Sequence, residues 1–87
     1  MVWQNIITFT DNNIPYRFKV STSRGENSDE CKIKVDELDE QDNKVDAFDF
    51  VYDVKQDMPE ADYKIHNKPV QVIVEQMLAI NEDPESW

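Results

Sequence analysis

With 87 residues and one cysteine, the chain has room for one domain with a modest core, and it cannot form an internal disulfide. Its formal charge of −10 at pH 7 disfavours direct contact with nucleic acid or an anionic membrane and favours a basic partner. Valine and isoleucine greatly outnumber leucine, which favours strands over helices.

The first half of the chain carries the pattern of an antiparallel meander. Residues 3–10 contain spaced apolar side chains, and the Asp-Asn-Asn cluster at 11–13 is typical of a tight turn. Residues 16–20 and 31–35 alternate apolar and basic side chains, which predicts two half-buried strands. Residues 21–30 are polar and hold the only glycine, so we expect a loop there.

A fourth strand is predicted in the middle of the chain. Residues 36–44 are too polar to be buried, and we expect an exposed connection. Residues 47–55 alternate with period two around Phe48 and Tyr52. A helix with Val45, Phe48 and Tyr52 on one side is the alternative. We favour the strand because aspartate is poor in helix interiors, whereas aromatic residues favour strands.

The C-terminal part predicts one helix. Apolar residues recur there at helical spacing: Val70, Ile73, Val74, Met77 and Leu78. A fifth strand over residues 70–74 is the alternative, since this stretch is rich in valine and isoleucine. We expect one domain over residues 1–87 with a frayed acidic tail at 82–87. The predicted fold class is α+β: a small antiparallel meander of three to four strands with a C-terminal helix packed on one face.

The negative charge is unevenly distributed. Residues 1–35 carry five basic and four acidic side chains, whereas residues 36–87 carry four basic and fifteen acidic ones. Eleven of these acids fall within residues 36–62. They are the predicted partner-binding residues: Asp36, Glu37, Asp39, Glu40, Asp42, Asp46, Asp49, Asp53, Asp57, Glu60 and Asp62. Several recur at spacings of three or four, as along one side of a helix, and on a strand Asp49 and Asp53 still share a face.

A dense set of carboxylates can imitate a phosphate backbone, because duplex DNA carries about one charge per 1.7 Å of its axis. A solvated face that only keeps the protein soluble is the alternative interpretation. The stretch lacks the ligand spacing and central glycine of a calcium loop, so we expect no metal site. The basic residues Arg17, Lys19, Lys32 and Lys34 are expected to pair with acids on neighbouring strands rather than to bind nucleic acid.

The sequence shows no evident set of catalytic residues, so we expect that the protein is not an enzyme and uses no cofactor. The only histidine, His66, lies in a polar linker and is expected to be exposed. The only cysteine, Cys31, is expected to point into the core as a structural residue. A single glycine rules out a glycine-rich phosphate loop.

The sequence therefore predicts a non-catalytic acidic binding protein that blocks a basic nucleic-acid-binding protein or nuclease. In composition it resembles nucleic-acid mimics and small phage-type inhibitors, which act in counter-defence or regulation. The alternative is an accessory subunit or adaptor that binds a partner protein through apolar surface, such as the helix or Trp87. We expect a cytoplasmic protein, since no signal peptide and no bilayer-spanning apolar run is evident.

Overall fold

The computed structural model describes residues 3–27, 29–55, 58–83 and 87, and it has the predicted α+β architecture. A four-stranded antiparallel sheet, with its strands side by side in chain order, is followed by a two-stranded hairpin and a helix. The elements are β1 (Gln4–Asp11), β2 (Ile14–Arg24), β3 (Glu30–Leu38), β4 (Lys44–Asp53), β5 (Lys64–Ile65), β6 (Lys68–Pro69) and α1 (Val70–Ile80). The prediction of a meander with a C-terminal helix is confirmed.

Period-two alternation gives the sheet one apolar face, which α1 covers. Phe18, Val20, Ile33 and Val35 are fully buried at the centre of this face. The helix contributes its own apolar stripe to the same core: Val70, Ile73, Val74 and Met77. Burial of side chains of this size stabilises the fold by about 1.5–3 kcal/mol each. The opposite face of the sheet, called the open face below, carries the alternate side chains and faces solvent.

Two tight turns depend on residues that tolerate left-handed backbone. Asn12 and Asn13, with φ of 50° and 64°, join β1 to β2 as a two-residue turn. This is the turn that the sequence predicts there. His66 and Asn67, with φ of 50° and 63°, form the same kind of turn between β5 and β6. Local sequence patterns do not reveal this second hairpin, because its strands are only two residues long.

The loop between β2 and β3 closes tightly at Gly25. The Gly25 N–H donates to the carbonyl of Glu30 (2.9 Å), and a Cβ atom at Gly25 would lie 2.5 Å from the Cβ of Glu30. Only glycine permits this approach. The strands on either side are longer than predicted, since β2 continues to Arg24 and β3 continues to Leu38. The exposed connection predicted for residues 36–44 therefore shortens to residues 39–43.

The last residue differs from its prediction. Trp87 was expected at the tip of a frayed tail, but it is 4% exposed and packs against the core. Its ring stacks on Trp3 (centroids 6.1 Å apart) and contacts Tyr52 (5.8 Å), and its Nε1 donates to the Asn81 carbonyl (3.1 Å). Trp87 is buried because packing an indole beside two aromatic rings is more favourable in free energy than leaving it exposed to water. Residues 84–86 of the predicted tail lie outside the described residues.

Candidate functional site

Ten of the eleven predicted acids are among the described residues, and these ten do not form one row. Because they lie on strands and loops rather than on a helix, the spacing of three or four does not align them. Three lie on the open face: Asp36, Asp49 and Asp53. Five lie at the end of the sheet where β3 turns into β4: Glu37, Asp39, Glu40, Asp42 and Asp46. Glu60 and Asp62 lie on the connection between β4 and β5, and Asp57 falls outside the described residues.

The β3–β4 loop is organised by Asp39. Its carboxylate accepts the backbone N–H groups of Gln41 (2.9 Å) and Asn43 (2.8 Å). These bonds, that from Asn43 above all, hold the pKa of Asp39 below its ordinary value, so the carboxylate stays charged at neutral pH. Asp42, with φ of 65°, is tied to the first half of the chain by the Nε of Arg17 at 2.7 Å. Asp39 and Asp42 are thus engaged in building the loop.

Glu40 lies between these two residues and is exposed. In the described part of the chain it has no basic side chain within 4 Å. Beside it a shallow groove of about 650 Å³ runs along the β1–β2 hairpin, with Pro15, Leu38 and Asp39 among the lining residues. Apolar walls next to a carboxylate suit a lysine or arginine side chain, whose stem packs while its head meets the charge.

The β5–β6 hairpin supplies basic groups to two of the predicted acids. Nδ1 of His66 lies 3.1 Å from Oδ2 of Asp46, and Nζ of Lys68 donates to Oε2 of Glu37 at 3.0 Å. The pKa of Asp46 is lowered mainly by the N–H of Ala47 and then by His66. His66 is exposed, as predicted, but its role in holding Asp46 was missed. Glu37 and Asp46 therefore serve chiefly to dock this hairpin.

On the open face, basic and acidic side chains face each other across the strands. The register places Lys19 opposite Asp36 and Lys34 opposite Asp49, as expected for compensation between neighbouring strands. Lys32 differs, since its neighbour on β4 is Val51. Oδ1 of Asp36 is buried without a hydrogen-bond partner in the described part of the molecule.

A subset of the predicted acids is exposed and forms no ion pair in the described part of the chain. Among the described residues these carboxylates have no basic side chain within 4 Å, and we call them the free carboxylates: Glu40, Asp49, Glu60 and Asp62. Asp49 has Lys34 as its cross-strand neighbour, so the least compensated members are Glu40, Glu60 and Asp62. They lie on loops, where a partner can reach them without disturbing the sheet.

Other candidate sites carry less chemistry. Cys31 is buried at 5% exposure, and desolvation raises the pKa of its thiol, as expected for a structural cysteine. The described residues contain no group of three or more histidine, cysteine, aspartate or glutamate side chains placed to hold a metal ion. The adaptor interpretation names Trp87 and the helix as exposed apolar surfaces. This prediction is wrong, because Trp87 and the apolar stripe of α1 are both buried in the core.

Comparison with known proteins does not assign this arrangement to a family. The chain matches no protein-family model, no curated protein and no solved structure. Within the described residues, no helix combines the length and the apolar character needed to cross a membrane.

Proposed function

We propose that this chain is a non-catalytic acidic protein that binds a basic partner protein in place of nucleic acid and so inhibits it. The free carboxylates on the β3–β4 loop and on the β4–β5 connection meet lysine and arginine side chains of the partner. The observation that carries the proposal is that these carboxylates are exposed and have no basic side chain within 4 Å among the described residues, whereas Asp42 and Glu37 of the same region pair with Arg17 and Lys68.

The charge density supports this function. The molecule measures 35 × 25 × 21 Å and carries ten net negative charges. Along its longest axis this amounts to about one charge per 3.5 Å, the same order as the one per roughly 1.7 Å of duplex DNA. Long-range attraction of this kind accelerates association with a basic surface and makes the association sensitive to salt.

The hydrogen bonds and the ion pair within the β3–β4 loop also support it. The Asp39 carboxylate fixes the loop that carries Glu40, and Arg17 clamps the same loop through Asp42. A preorganised surface loses less conformational entropy on binding than a flexible acidic tail does. The groove beside Glu40 adds a place where the stem of a basic side chain is covered.

A pull-down from host lysate with the tagged chain tests the proposal. We expect a nucleic-acid-binding protein to be retained at low salt, to be released at roughly 0.5 M salt, where screening is strong, and to be displaced by added duplex DNA or RNA. A partner that survives the salt wash and ignores nucleic acid would contradict the proposal. It would indicate that the partner binds through apolar surface and that the acidic region serves only to keep the protein soluble.

A further inference from the structure

The two edge strands of the sheet differ in charge. At one edge, β4 carries Lys44, Asp46, Asp49 and Asp53. At the other edge, β1 has no charged side chain from Gln4 to Thr10. Natural sheets protect a free edge with charged side chains, prolines, bulges or very short strands. β1 spans eight residues, has no proline and no register shift against β2, and carries a charge only at its last residue, Asp11, whereas the acids of β4 are spread along the strand.

The free backbone groups of β1 can be assigned. The Thr22 N–H donates to the Trp3 carbonyl (2.8 Å), so in the register of the β1–β2 pair the odd-numbered residues bond to β2. Gln4, Ile6, Thr8 and Thr10 therefore direct their N–H and C=O groups to the open edge. Of these, the Ile6 N–H is engaged by the Asn5 side chain (2.8 Å). In the described part of the chain, no strand other than β2 pairs with β1.

Charge also changes across the sheet, from β1 to β4. β1 carries only Asp11, and β2 carries three basic residues and no acid, whereas β4 carries three acids and one lysine. A second copy approaching at β4 would meet acid against acid. If a second copy approached at β1, the acidic β4 strands of the two copies would lie at opposite ends of the combined sheet, where their mutual repulsion is weakest.

We infer that β1 is the site at which two copies of this chain pair, antiparallel about a twofold axis, into one continuous sheet. Antiparallel pairing of identical strands is self-complementary, as a twofold interface requires. It joins the free groups of the even-numbered residues and covers Ile6, which is 44% exposed on the open face. The pairing is independent of the partner-binding function proposed above.

A matched pair of variants tests the pairing. Ile6 on β1 and Val51 on β4 are both exposed aliphatic residues on the open face of an edge strand, and each has a lysine as cross-strand neighbour, Lys19 and Lys32 respectively. Ile6→Glu and Val51→Glu therefore add the same charge beside a lysine of the neighbouring strand, and they differ in that Val51 lies between two acids of β4. Sedimentation equilibrium at roughly 0.5 M salt measures the dimer, with long-range repulsion screened.

We expect the wild-type chain to dimerise, Ile6→Glu to weaken the dimer by about tenfold or more, and Val51→Glu to leave it unchanged. Amide exchange on the wild-type chain tests the same contact without a substitution. The Thr8 and Thr10 N–H groups should exchange more slowly as protein concentration rises. A wild-type chain that stays monomeric with rapid exchange at Thr8, or a dimer weakened equally by both variants, would overturn the inference. The first of these results would leave the β1 edge to a strand of another protein.

Discussion

The two halves of this chain differ in charge but share one core. Residues 1–35 form β1, β2 and most of β3 with a nearly neutral balance, whereas residues 36–87 hold fifteen of the nineteen acids. Within the described ranges, two exposed ion pairs cross between the halves, Arg17 with Asp42 and Asp29 with Lys55. Ion pairing therefore depends on the position of each acid and not on whether it lies on a strand or a loop. Asp42 on the β3–β4 loop pairs with Arg17, whereas Glu40 on the same loop has no basic side chain within 4 Å among the described residues.

Among the substitutions that separate the two halves, we expect the removal of Trp87 to have the largest effect on stability. This indole at one end of the chain stacks on Trp3 at the other. Trp87→Ala should lower the free energy of unfolding by about 3–5 kcal/mol, a large share of the total for a small domain. Urea unfolding measures the change.

The control for this substitution is Tyr63→Ala, which removes an aromatic ring that is 47% exposed. It should change the free energy of unfolding by about 0.5 kcal/mol or less. If Trp87→Ala had an equally small effect, Trp87 would be frayed, as the sequence alone predicted.

A second comparison concerns ion pairs of different burial. Lys68 and Glu37 are about 20% exposed, whereas Arg17 and Asp42 are 38% and 60% exposed. Lys68→Met leaves the Glu37 carboxylate without its partner and should cost about 1.5–3 kcal/mol. Arg17→Met should cost only about 0.2–1 kcal/mol, because water and salt screen an exposed pair. Thermal unfolding at low and high salt measures both losses, and equal losses would contradict the difference in burial.

The smallest expected effect is on acid stability. The pKa values of Asp39 and Asp46 are lowered in the folded protein, so the unfolded chain binds protons first as pH falls. Their contribution to stability is present above the unfolded pKa of about 4 and is lost as pH falls through the folded values. The difference in Tm between wild type and Asp46→Ala should therefore be fully developed above about pH 5 and shrink below about pH 4. A difference that is independent of pH would contradict this assignment.

Local patterns predicted most of the fold, and contacts distant in the chain account for the errors. Alternation at residues 16–20 and 31–35 identifies strands because the period of a strand is local. The position of Trp87 depends on Trp3 and Tyr52, which no local pattern connects to it. The acids were identified as a set, but their division into free and neutralised members depends on strand register and on a hairpin too short to be predicted.

The most direct test of the acidic surface compares three baits in one pull-down. The first is the wild-type chain. The second reverses the least compensated free carboxylates, as Glu40→Lys, Glu60→Lys and Asp62→Lys. The third reverses three exposed acids outside residues 36–62, as Glu26→Lys, Glu75→Lys and Glu82→Lys. The two variants have the same formal charge and differ only in where it is changed.

We expect wild type and the third bait to retain the same nucleic-acid-binding protein, released by duplex DNA, and the second bait to lose it. Circular dichroism confirms that each bait is folded. Equal retention by the second and third baits would contradict the account, because it would mean that net charge, and not the position of the free carboxylates, determines binding.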